Sequence, residues 1–497
     1  MNPSPRIYQA SARHLVAGTN PSCPPGTLDN ISTGWLEQLA DKGFDWFYLY
    51  GVWDSGKAGQ VVSRAHPKMW AKQATDLPLG CIGDVSGSPF AIREYCQDPR
   101  LGDPEALARL RGRCQKAGLK LMLDFVVNHT ALDHSWVIHR PEWFVQAHGE
   151  AADVRPEGFV PLPTMNGWRL FAHGKDPYFP AWVDTLQLNL LHPDLIQAHT
   201  ENLLQAAGQC DGLRADMAML ALSDIFRKTW GGLADPADGS PLADKDFWTT
   251  AIDRLRIAFP NCLLCGEIYW SLEGRMLDMG FDLAYDKSAY DLLRHGDGRG
   301  LNAFETAVAK RLPHLLRFGE NHDEERMFSA FGKERAMAAL PLLLLHNGPI
   351  LVHDGQLEGS LVNAGIHLAR KAPESIDCAV AKSADLFCKL QSNLQIAVPI
   401  GVHQAWEGNP SHECLVINGW QSDTKAYLLC VNYAGYPSQG RLQLPLHWIG
   451  ADGLEMMDIY GGQPYSRPRT EQLTAGLFVD LPSFGMHLFE ISLSKIA

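Results

Sequence analysis

The sequence lacks a long hydrophobic run, and we expect no secretory leader. Its most apolar stretch, LPLLLL at residues 340–345, is six residues long, whereas a transmembrane helix needs about 20. The first residues, MNPSPRIYQASARHLV, have no apolar core of the kind that a signal peptide carries. These absences predict a soluble protein that does not contact a membrane, and we expect a cytoplasmic location.

Positive charge is also scarce. The chain has 43 lysines and arginines against 56 acidic residues, which gives a formal net charge of −13. A nucleic-acid backbone is repelled by such a protein, and so is an anionic membrane surface. The charge therefore disfavours both as partners and leaves a neutral ligand such as a sugar open. It gives no indication of the oligomeric state.

The cysteines lack the regular spacing of a disulfide framework. There are eleven, an odd number, scattered along the chain, which favours free thiols in a reducing compartment. One close pair, Cys262 and Cys265, lies inside an apolar run. This pattern favours a buried strand over a metal or redox site.

The chain has the composition of a globular protein, with 46% hydrophobic and 20% charged residues. Its 497 residues suit a large barrel with attachments. Short apolar segments alternate with helix-like segments, which predicts an α/β fold built on a (β/α)8 TIM barrel. The eight candidate strands are residues 6–9, 46–50, 119–125, 212–216, 262–267, 281–285, 315–320 and 349–353.

Two segments interrupt the alternation. Residues 130–183 are rich in His, Pro, Trp and Gly without clear periodicity, which predicts an irregular insertion, domain B, after the third strand. From residue 396, alternating segments are separated by Gly and Pro turns, which predicts a C-terminal antiparallel β-sandwich domain at 396–497. Residues 1–129 and 184–395 are then expected to form the catalytic barrel.

Acids, histidines and an arginine cluster where four predicted strands end. Because the carboxyl ends of barrel strands meet at one mouth, we expect these side chains to converge there. The four segments are LDFVVNH at 123–129, DGLRAD at 211–216, LCGEIYW at 264–270 and FGENHD at 318–323.

The residue types indicate acid–base chemistry. Arg214 and Asp216 are two apart and share one face of a strand, so the guanidinium should lower the pKa of Asp216 and keep it ionised as a nucleophile. Glu267 ends an apolar strand, whose surroundings should raise its pKa and favour a proton donor. Asp323, next to His322, adds a third acid suited to sugar hydroxyls and oxocarbenium-like charge.

A structural role is the alternative for each segment, since buried ion pairs also perturb pKa values. Four such segments at four strand ends are harder to explain by structure alone. The residues by themselves indicate a carboxylate-dependent hydrolase or transferase in a barrel.

The four segments, in this order, resemble the signature regions of the α-amylase family, glycoside hydrolase family 13. The resemblance rests on DFVVNH (124–129), GLRAD (212–216), Gly266-Glu267 and NHD (321–323), with QLN (187–189) as a fifth short region. It implies a retaining mechanism in which Asp216 is the nucleophile, Glu267 the acid/base and Asp323 the stabiliser of the transition state.

The predicted substrate-binding residues are His129, Arg214, His322, Phe90, Asp124 and Tyr269. The resemblance implies that His129, Arg214 and His322 contact the sugar that is cleaved and that Phe90 stacks on it. For His129 the alternative is a strand-end histidine satisfied by Asp124, and both roles are compatible. For Phe90, core packing is equally plausible. Further subsites could be lined by Trp53, Tyr178, Trp182, Tyr269 and Trp270, although core packing is favoured for most of them.

Several positions depart from the family pattern. Residues 217–220 (MAML) replace the Lys-His of many amylases, which puts endo-amylase action and the usual calcium in doubt. Asn128 is one possible calcium ligand, and one ligand does not make a site. Ala91 replaces an Asp found in α-glucosidases. Residues 83–92, 133–137 and 141–144 look similar to the bacterial maltosyltransferase that uses maltose 1-phosphate.

We therefore expect a retaining glycosidase that acts on α-glucosidic bonds of α-glucans or oligosaccharides. A glycosyltransferase or isomerase on the same fold is the main alternative. A non-catalytic sugar-binding relative is less favoured, because all three acids are present. No metal or organic cofactor is expected: GDGRG at 296–300 is interpreted as a flexible turn and not as a nucleotide loop.

Overall fold

The computed structural model describes residues 4–17, 25–66, 71, 75–78, 80–147 and 156–493. Its strands, numbered along the chain, are β1 (Arg6–Ser11), β2 (Trp46–Tyr50), β3 (Trp53–Asp54), β4 (Glu94–Gln97), β5 (Lys120–Val126), β6 (His129–Ala131), β7 (Phe159–Thr164), β8 (Gly167–Ala172), β9 (Thr185–Gln187), β10 (Gly212–Asp216), β11 (Leu263–Gly266), β12 (Leu283–Tyr285), β13 (Leu315–Phe318), β14 (Ile350–His353), β15 (Ile396–Val398), β16 (Gly401–Gln404), β17 (Leu415–Gln421), β18 (Lys425–Asn432), β19 (Ser438–Gln443), β20 (Gly453–Asp458), β21 (Gln463–Pro468), β22 (Leu477–Leu481) and β23 (Met486–Ser492).

Helices of the described residues span Ala12–Ala17, Thr33–Asp41, Ala58–Ala65, Ala106–Lys116, Trp136–His139, Pro193–Ala207, Ser223–Trp230, Phe247–Ala258, Glu273–Asp278, Lys287–His295, Gly298–Ala307, Met327–Ala330, Lys333–Leu344, Cys378–Gln391 and Arg469–Thr474. They are amphipathic where they cover the sheet. The helix Ala106–Lys116, for example, buries Leu107, Leu110 and Cys114 on one face, as their spacing predicts.

Eight strands close into a barrel in chain order: β1, β2, β5, β10, β11, β12, β13 and β14. The pairings from β1 through β12, and that of β13 with β14, are parallel. All eight predicted strands occur, and β2 and β10 have the predicted bounds. Each of the other six differs from its predicted bounds by one or two residues at one or both ends. The predicted (β/α)8 barrel is therefore confirmed, and its strands read as apolar runs because both faces are buried.

The chain divides into two compact units. One holds residues 7–285 and 362–373, and the other holds residues 1–6, 286–361 and 374–497. Strands β2 to β12 belong to the first unit, and β13 to β23 belong to the second. The domain boundaries expected at residues 130, 184 and 396 stay predictions.

The insertion contains more regular structure than the sequence indicates. Strand β6 pairs with β9, and β7 pairs with β8 as an antiparallel hairpin whose turn holds Gly167 at φ +101°. The sequence pattern did not predict this hairpin, because Pro161 and Pro163 lie within β7. Proline is tolerated in a two-stranded sheet, where a missing N–H can face outward, but it breaks the pattern expected of a strand.

The C-terminal residues form two antiparallel sheets. One has six strands in the order β15-β17-β18-β23-β20-β21, and the other has three in the order β16-β19-β22. Leu428 and Phe489 of the first sheet share one hydrophobic cluster with Leu442 and Val479 of the second. Two sheets that face each other across an apolar core are a sandwich, so the predicted sandwich is confirmed.

The segment GDGRG at 296–300 is helical at its end, so its interpretation as a flexible turn was wrong. The Asp297 side chain accepts a hydrogen bond of 3.0 Å from Gly300 N–H and caps the helix Gly298–Ala307. Such a cap offsets the low helix propensity of glycine. Gly298 is needed for packing, since a Cβ there would lie 2.1 Å from the Cys414 carbonyl oxygen.

The apolar stretch at 340–345 lies mostly in the helix Lys333–Leu344, whose residues 338–344 are buried. Within the described ranges, none of the helices is both long and apolar enough to cross a membrane.

Candidate active site

Three carboxylates lie at the carboxyl ends of three neighbouring barrel strands. Asp124 is near the end of β5, Asp216 is the last residue of β10, and Glu267 directly follows β11. Arg214 of β10 is in register with Asp124 on one side and with Cys265 on the other. All three acids are buried, with at most 7% of any residue exposed. The structure therefore brings these predicted site residues together.

Arg214 joins two of the carboxylates. Its Nη1 donates to Asp216 Oδ1 at 2.6 Å and its Nη2 donates to Glu267 Oε2 at 2.8 Å. Asp124 Oδ1 lies 4.0 Å from the same Nη1. The guanidinium is a rigid planar fork that suits two acceptors at once. Alternation along the strand predicts its pairing with Asp216, whereas its bond to Glu267 is an additional finding.

Glu267 accepts hydrogen bonds on both oxygens. Besides Arg214, the Met217 N–H donates to Oε2 at 2.8 Å, and the Tyr269 hydroxyl donates to Oε1 at 2.7 Å. The strand before Glu267 is apolar, as inferred from the sequence, but the carboxyl group itself faces polar donors. Oε1 contacts a hydroxyl, which can rotate to accept a proton instead of donating one.

The backbone is left-handed directly after two of these acids. Met217, which follows Asp216, has φ +40°, while Trp270 and Ser271, which come soon after Glu267, have φ +63° and +60°. Non-glycine residues in this region cost on the order of 1–3 kcal/mol each and persist where the surroundings fix them. At Met217 the turn directs the backbone N–H at Glu267.

Asp124 is held by strand β2 and the residue that follows it. Its Oδ1 accepts from the Tyr48 hydroxyl at 2.5 Å and its Oδ2 accepts from Gly51 N–H at 3.2 Å. Burial raises the pKa of Asp124 to about 7, and the Arg214 guanidinium opposes that rise. Gly51 has φ +76°, and a Cβ there would approach Pro89 to 3.0 Å, so glycine suits this close turn.

His129 opens strand β6 and is buried. Burial lowers its pKa to about 4, partly opposed by a hydrogen bond to the Phe90 backbone, so the ring is neutral at pH 7. The ring lies 5.2 Å from that of Trp182. Asp124 bonds to Tyr48 and Gly51 instead, so the interpretation that Asp124 satisfies His129 was wrong. In the described part of the chain, His129 Nδ1 has no hydrogen-bond partner.

Aromatic rings enclose Arg214. Its Cζ lies 5.3 Å from the Phe90 ring centroid and 5.7 Å from that of Tyr285, which are cation–π distances. Phe90 also stacks on Tyr50, with centroids 6.3 Å apart. Phe90 is thus a neighbour of the Arg214 guanidinium at this site.

The remaining aromatic candidates differ in burial. Trp53 is fully buried and donates from Nε1 to the Asp124 carbonyl oxygen at 2.7 Å, so the core interpretation fits it. Tyr178 is 60% exposed, so the core interpretation was wrong there. Its ring meets that of Trp270 edge-on at 5.1 Å, with Lys228 Nζ 5.7 Å from its centroid.

His322 and Asp323 belong to the unit that contains residues 286–361 and follow strand β13. His322 Nε2 lies 3.1 Å from Asp323 Oδ2; the histidine side chain is fully buried, and that of Asp323 is 43% exposed. Asn321 Oδ1 accepts from the N–H groups of Asp323 and Glu324 at 2.9 and 3.0 Å. These bonds fix the turn that carries Asp323.

Asn128, the possible calcium ligand, is engaged with Gln187. Its Nδ2 donates to Gln187 Oε1 at 3.0 Å, and Gln187 Nε2 donates to Asn128 Oδ1 at 2.9 Å. This exchange ties the end of β5 to β9. The independence of the protein from calcium and other cofactors stays a prediction.

Several contacts at the site were not predicted from the sequence. Tyr48 and Tyr285 each approach a charged site residue, and the Met217 N–H binds Glu267. The placement of Tyr48 could have been inferred from the sequence. It lies two residues before Tyr50, the last residue of β2, so the two side chains share one face of that strand. The contact of the Met217 N–H could not be inferred from the sequence, because it depends on a left-handed backbone conformation that a methionine does not predict.

The family model described as the catalytic domain of alpha-amylase matches residues 37–273. The alpha-1,4-glucan:maltose-1-phosphate maltosyltransferase of Cereibacter sphaeroides is 33% identical over 140 residues, covering 27% of this chain and 18% of that protein. The alpha-amylase MalA of Haloarcula japonica is 25% identical over 249 residues, covering 48% of this chain and 31% of that protein.

Among solved structures, an alpha-amylase from Lactobacillus plantarum aligns over 98% of both chains with a TM-score of 0.64 and 20% identity. At this identity the likeness concerns the fold. The matches to the two curated relatives span only 18% and 31% of those proteins.

Proposed function

We propose, on the premise that the chain belongs to the α-amylase family, that it is a retaining glycosidase acting on α-glucosidic bonds of α-glucans or oligosaccharides. Residues 37–273 of the chain match the model of the family's catalytic domain. The observation that carries this proposal is the fork of Arg214, which holds the carboxylates of Asp216 and Glu267 at the ends of neighbouring strands. A pair of carboxyl groups on one sugar-sized site is what glycoside cleavage needs.

In the proposed reaction, Asp216 attacks the anomeric carbon while Glu267 protonates the leaving oxygen. The sugar is then held as an ester of Asp216, and Glu267 removes a proton from the water or acceptor hydroxyl that releases it. Retention requires the two carboxyl groups to be about 5–5.5 Å apart. Arg214 favours the ionised form of the nucleophile through its 2.6 Å bond to Asp216.

The donors around Glu267 suit its proposed role as an acid. Arg214, Met217 N–H and Tyr269 all bind it, and each bond becomes stronger as the proton leaves and negative charge forms on the carboxyl group. Interactions that strengthen during the reaction lower its barrier, whereas equal binding of the substrate does not. Rotation of the Tyr269 hydroxyl leaves room for the proton on Oε1.

The other predicted residues complete the proposal. We assign oxocarbenium stabilisation to Asp323, whose Oδ2 lies 3.1 Å from His322 Nε2. His129 is neutral near pH 7 and has a ring nitrogen able to bind a sugar hydroxyl. Phe90 and Asp124 support Arg214 and shape its surroundings. We also propose a cytoplasmic location, in keeping with the odd number of cysteines and their irregular spacing along the chain.

Transfer to an acceptor sugar is the second candidate. It is favoured by the 33% identity over 140 residues to a maltosyltransferase, compared with 25% over 249 residues to an amylase. The two candidates share the first half of the reaction and differ in whether water or a sugar hydroxyl attacks the ester.

Product analysis tests the proposal. The purified protein is incubated with maltooligosaccharides, isomaltose, trehalose, sucrose and maltose 1-phosphate, beside Asp216→Asn, Glu267→Gln and the control Glu201→Gln. Glu201 is a matched control because it is an exposed carboxylate paired with Arg254 on a helix. We expect turnover of one substrate class, lost by about 10²–10⁴-fold in Glu267→Gln and at least as strongly in Asp216→Asn, and unchanged in the control.

Two further readouts separate the candidates. Proton NMR at early times should show the α-anomer first if the configuration is retained; the β-anomer first would contradict the assigned roles. Longer glucans, with phosphate released from maltose 1-phosphate, would identify transfer. Turnover unchanged in both acid variants, or no turnover by the wild-type protein on any substrate, would refute the proposal.

A further inference from the structure

A cavity lies at the amino ends of β10 and β11, away from the strand ends that carry the carboxylates. Its volume is about 510 Å³, and its lining includes Cys210, Cys262, Arg111 and Lys120. All of these residues belong to the unit of residues 7–285. Nothing in the proposed sugar chemistry uses this end of the strands.

The two cysteines are neighbours across adjacent strands. Gly212 is in register with Leu263, and Leu263 N–H donates to the Asp211 carbonyl oxygen at 3.1 Å. Cys262 lies one residue before Leu263 and Cys210 two residues before Gly212, so the two cysteines are offset by one residue across the strands. Both line the cavity, and their side chains interact. Adjacent strands are about 4.8 Å apart, and a disulfide spans Cα atoms about 4.4–6.8 Å apart. The placement therefore suits a covalent link.

The CxxC pattern of the sequence is not the relevant pair. Cys262 precedes β11 and lines the cavity, while Cys265 lies inside β11 in register with Arg214 and Leu283. Residues three apart on an extended chain point to opposite faces. Cys265 is fully buried, so the partner available to Cys262 is Cys210.

The charge of the cavity favours a small anion. Arg111 bonds to Asp211 at 2.7 Å and to the Gly208 carbonyl oxygen at 3.0 Å. Lys120 is exposed, with Nζ 5.1 Å from the Trp46 ring centroid. The lining of this cavity contains two cationic side chains and one carboxylate. The cavity is therefore net positive, although the whole chain has a net charge of −13.

We propose that Cys210 and Cys262 form a dithiol that is oxidised to a disulfide by a small carboxylate-bearing disulfide entering this cavity. The Cys262 thiolate attacks one sulfur of the reagent, forming a mixed disulfide and releasing one thiolate. Cys210 then loses its proton and attacks the Cys262 sulfur, which releases the second thiolate. Two protein thiols are oxidised, one reagent disulfide is reduced to two thiols, and the two protons pass to those thiols.

The environment assigns the order of attack. The hydrogen bond from Cys210 lowers the pKa of Cys262, although burial opposes this, and burial raises the pKa of Cys210. The thiolate is the attacking species in disulfide exchange. Cys262 is therefore the attacking thiol and Cys210 the resolving one.

The full-length protein is treated with oxidised glutathione, and its disulfides are mapped by peptide mass spectrometry without reduction. We expect the wild-type protein to lose two thiols and to yield a peptide pair joined through Cys210 and Cys262. Cys210→Ser should instead accumulate a glutathione adduct on Cys262. Cys265→Ser is the matched control and should still form the Cys210–Cys262 link.

Charge selectivity gives a test that does not depend on a cysteine variant. Lys120→Glu should slow the reaction with oxidised glutathione by roughly tenfold, while the reaction with the neutral hydroxyethyl disulfide stays unchanged. Circular dichroism checks that each variant is folded. Unreacted thiols at both positions in the folded wild-type protein, or a disulfide between Cys262 and Cys265, would overturn the proposal.

Discussion

Replacement of Arg214 by lysine tests the fork that joins Asp216 and Glu267. Lysine keeps the positive charge but presents it at one point, so it cannot reproduce two bonds of 2.6 and 2.8 Å from two nitrogens. At least one charge-assisted hydrogen bond is lost, and such a bond contributes about 1.5–3 kcal/mol. Because 1.36 kcal/mol corresponds to a factor of ten, kcat/KM should fall about 10- to 150-fold.

The assay is kcat/KM on the α-glucoside that the substrate panel identifies, together with urea unfolding followed by tryptophan fluorescence. Arg317→Lys is the matched control, because the Arg317 side chain is 3% exposed and also approaches two carboxylates, Glu305 at 2.6 Å and Asp286 at 3.5 Å. Both variants should lose stability. Only Arg214→Lys should lose activity beyond what its unfolded fraction explains.

Two results would refute this reasoning. If Arg214→Lys keeps kcat/KM within about twofold of wild type, the fork does not position the carboxylates for the reaction. If Arg317→Lys loses activity to the same extent while folded, the effect follows from loss of any buried arginine and not from this site.

Three other changes have defined outcomes. Tyr269→Phe removes the 2.7 Å bond to Glu267 Oε1 and should lower kcat about tenfold with an unchanged melting temperature; an unchanged kcat would contradict the role of the hydroxyl. Met217→Gly relieves a φ of +40° and should raise the unfolding free energy by about 1 kcal/mol while lowering kcat, as measured by urea unfolding and initial rates. His129 has a folded pKa of about 4, below its usual 6.5, so the unfolded chain binds more protons between these values. Its contribution to stability is complete above about pH 6.5 and disappears as pH falls through 4, a loss of about 3 kcal/mol; urea unfolding of His129→Gln across this range should show a smaller loss than wild type.

The fold was predictable because its strands have a strong signal. Barrel strands covered on both faces are short apolar runs, and β2 and β10 have the predicted bounds. The hairpin β7–β8 was missed because Pro161 and Pro163 interrupt its pattern. The helix at Gly298 was missed because its start depends on a cap from Asp297 and on close packing against Cys414, neither of which glycine-rich sequence indicates.

The convergence of Asp124, Asp216 and Glu267 at neighbouring strand ends was predictable, but their hydrogen bonds were predictable only within one strand. Arg214 and Asp216 share a face because side chains alternate along β10. The bond from Arg214 to Glu267 depends on the register between β10 and β11, and the bond from Tyr48 to Asp124 depends on the alignment of β2 and β5. Registers between strands are set by the whole barrel and are not readable from one segment.

The left-handed residues after Asp216 and Glu267 have a consequence for laboratory evolution. Met217, Trp270 and Ser271 hold conformations that glycine would adopt at lower cost. A library selected only for survival of heating should therefore accumulate glycine at these three positions and drift away from turnover. Retaining a selection step for catalysis in every round would preserve the costly side chains, and the balance between the two pressures would measure how much stability the native chain gives up to keep its carboxylates in place.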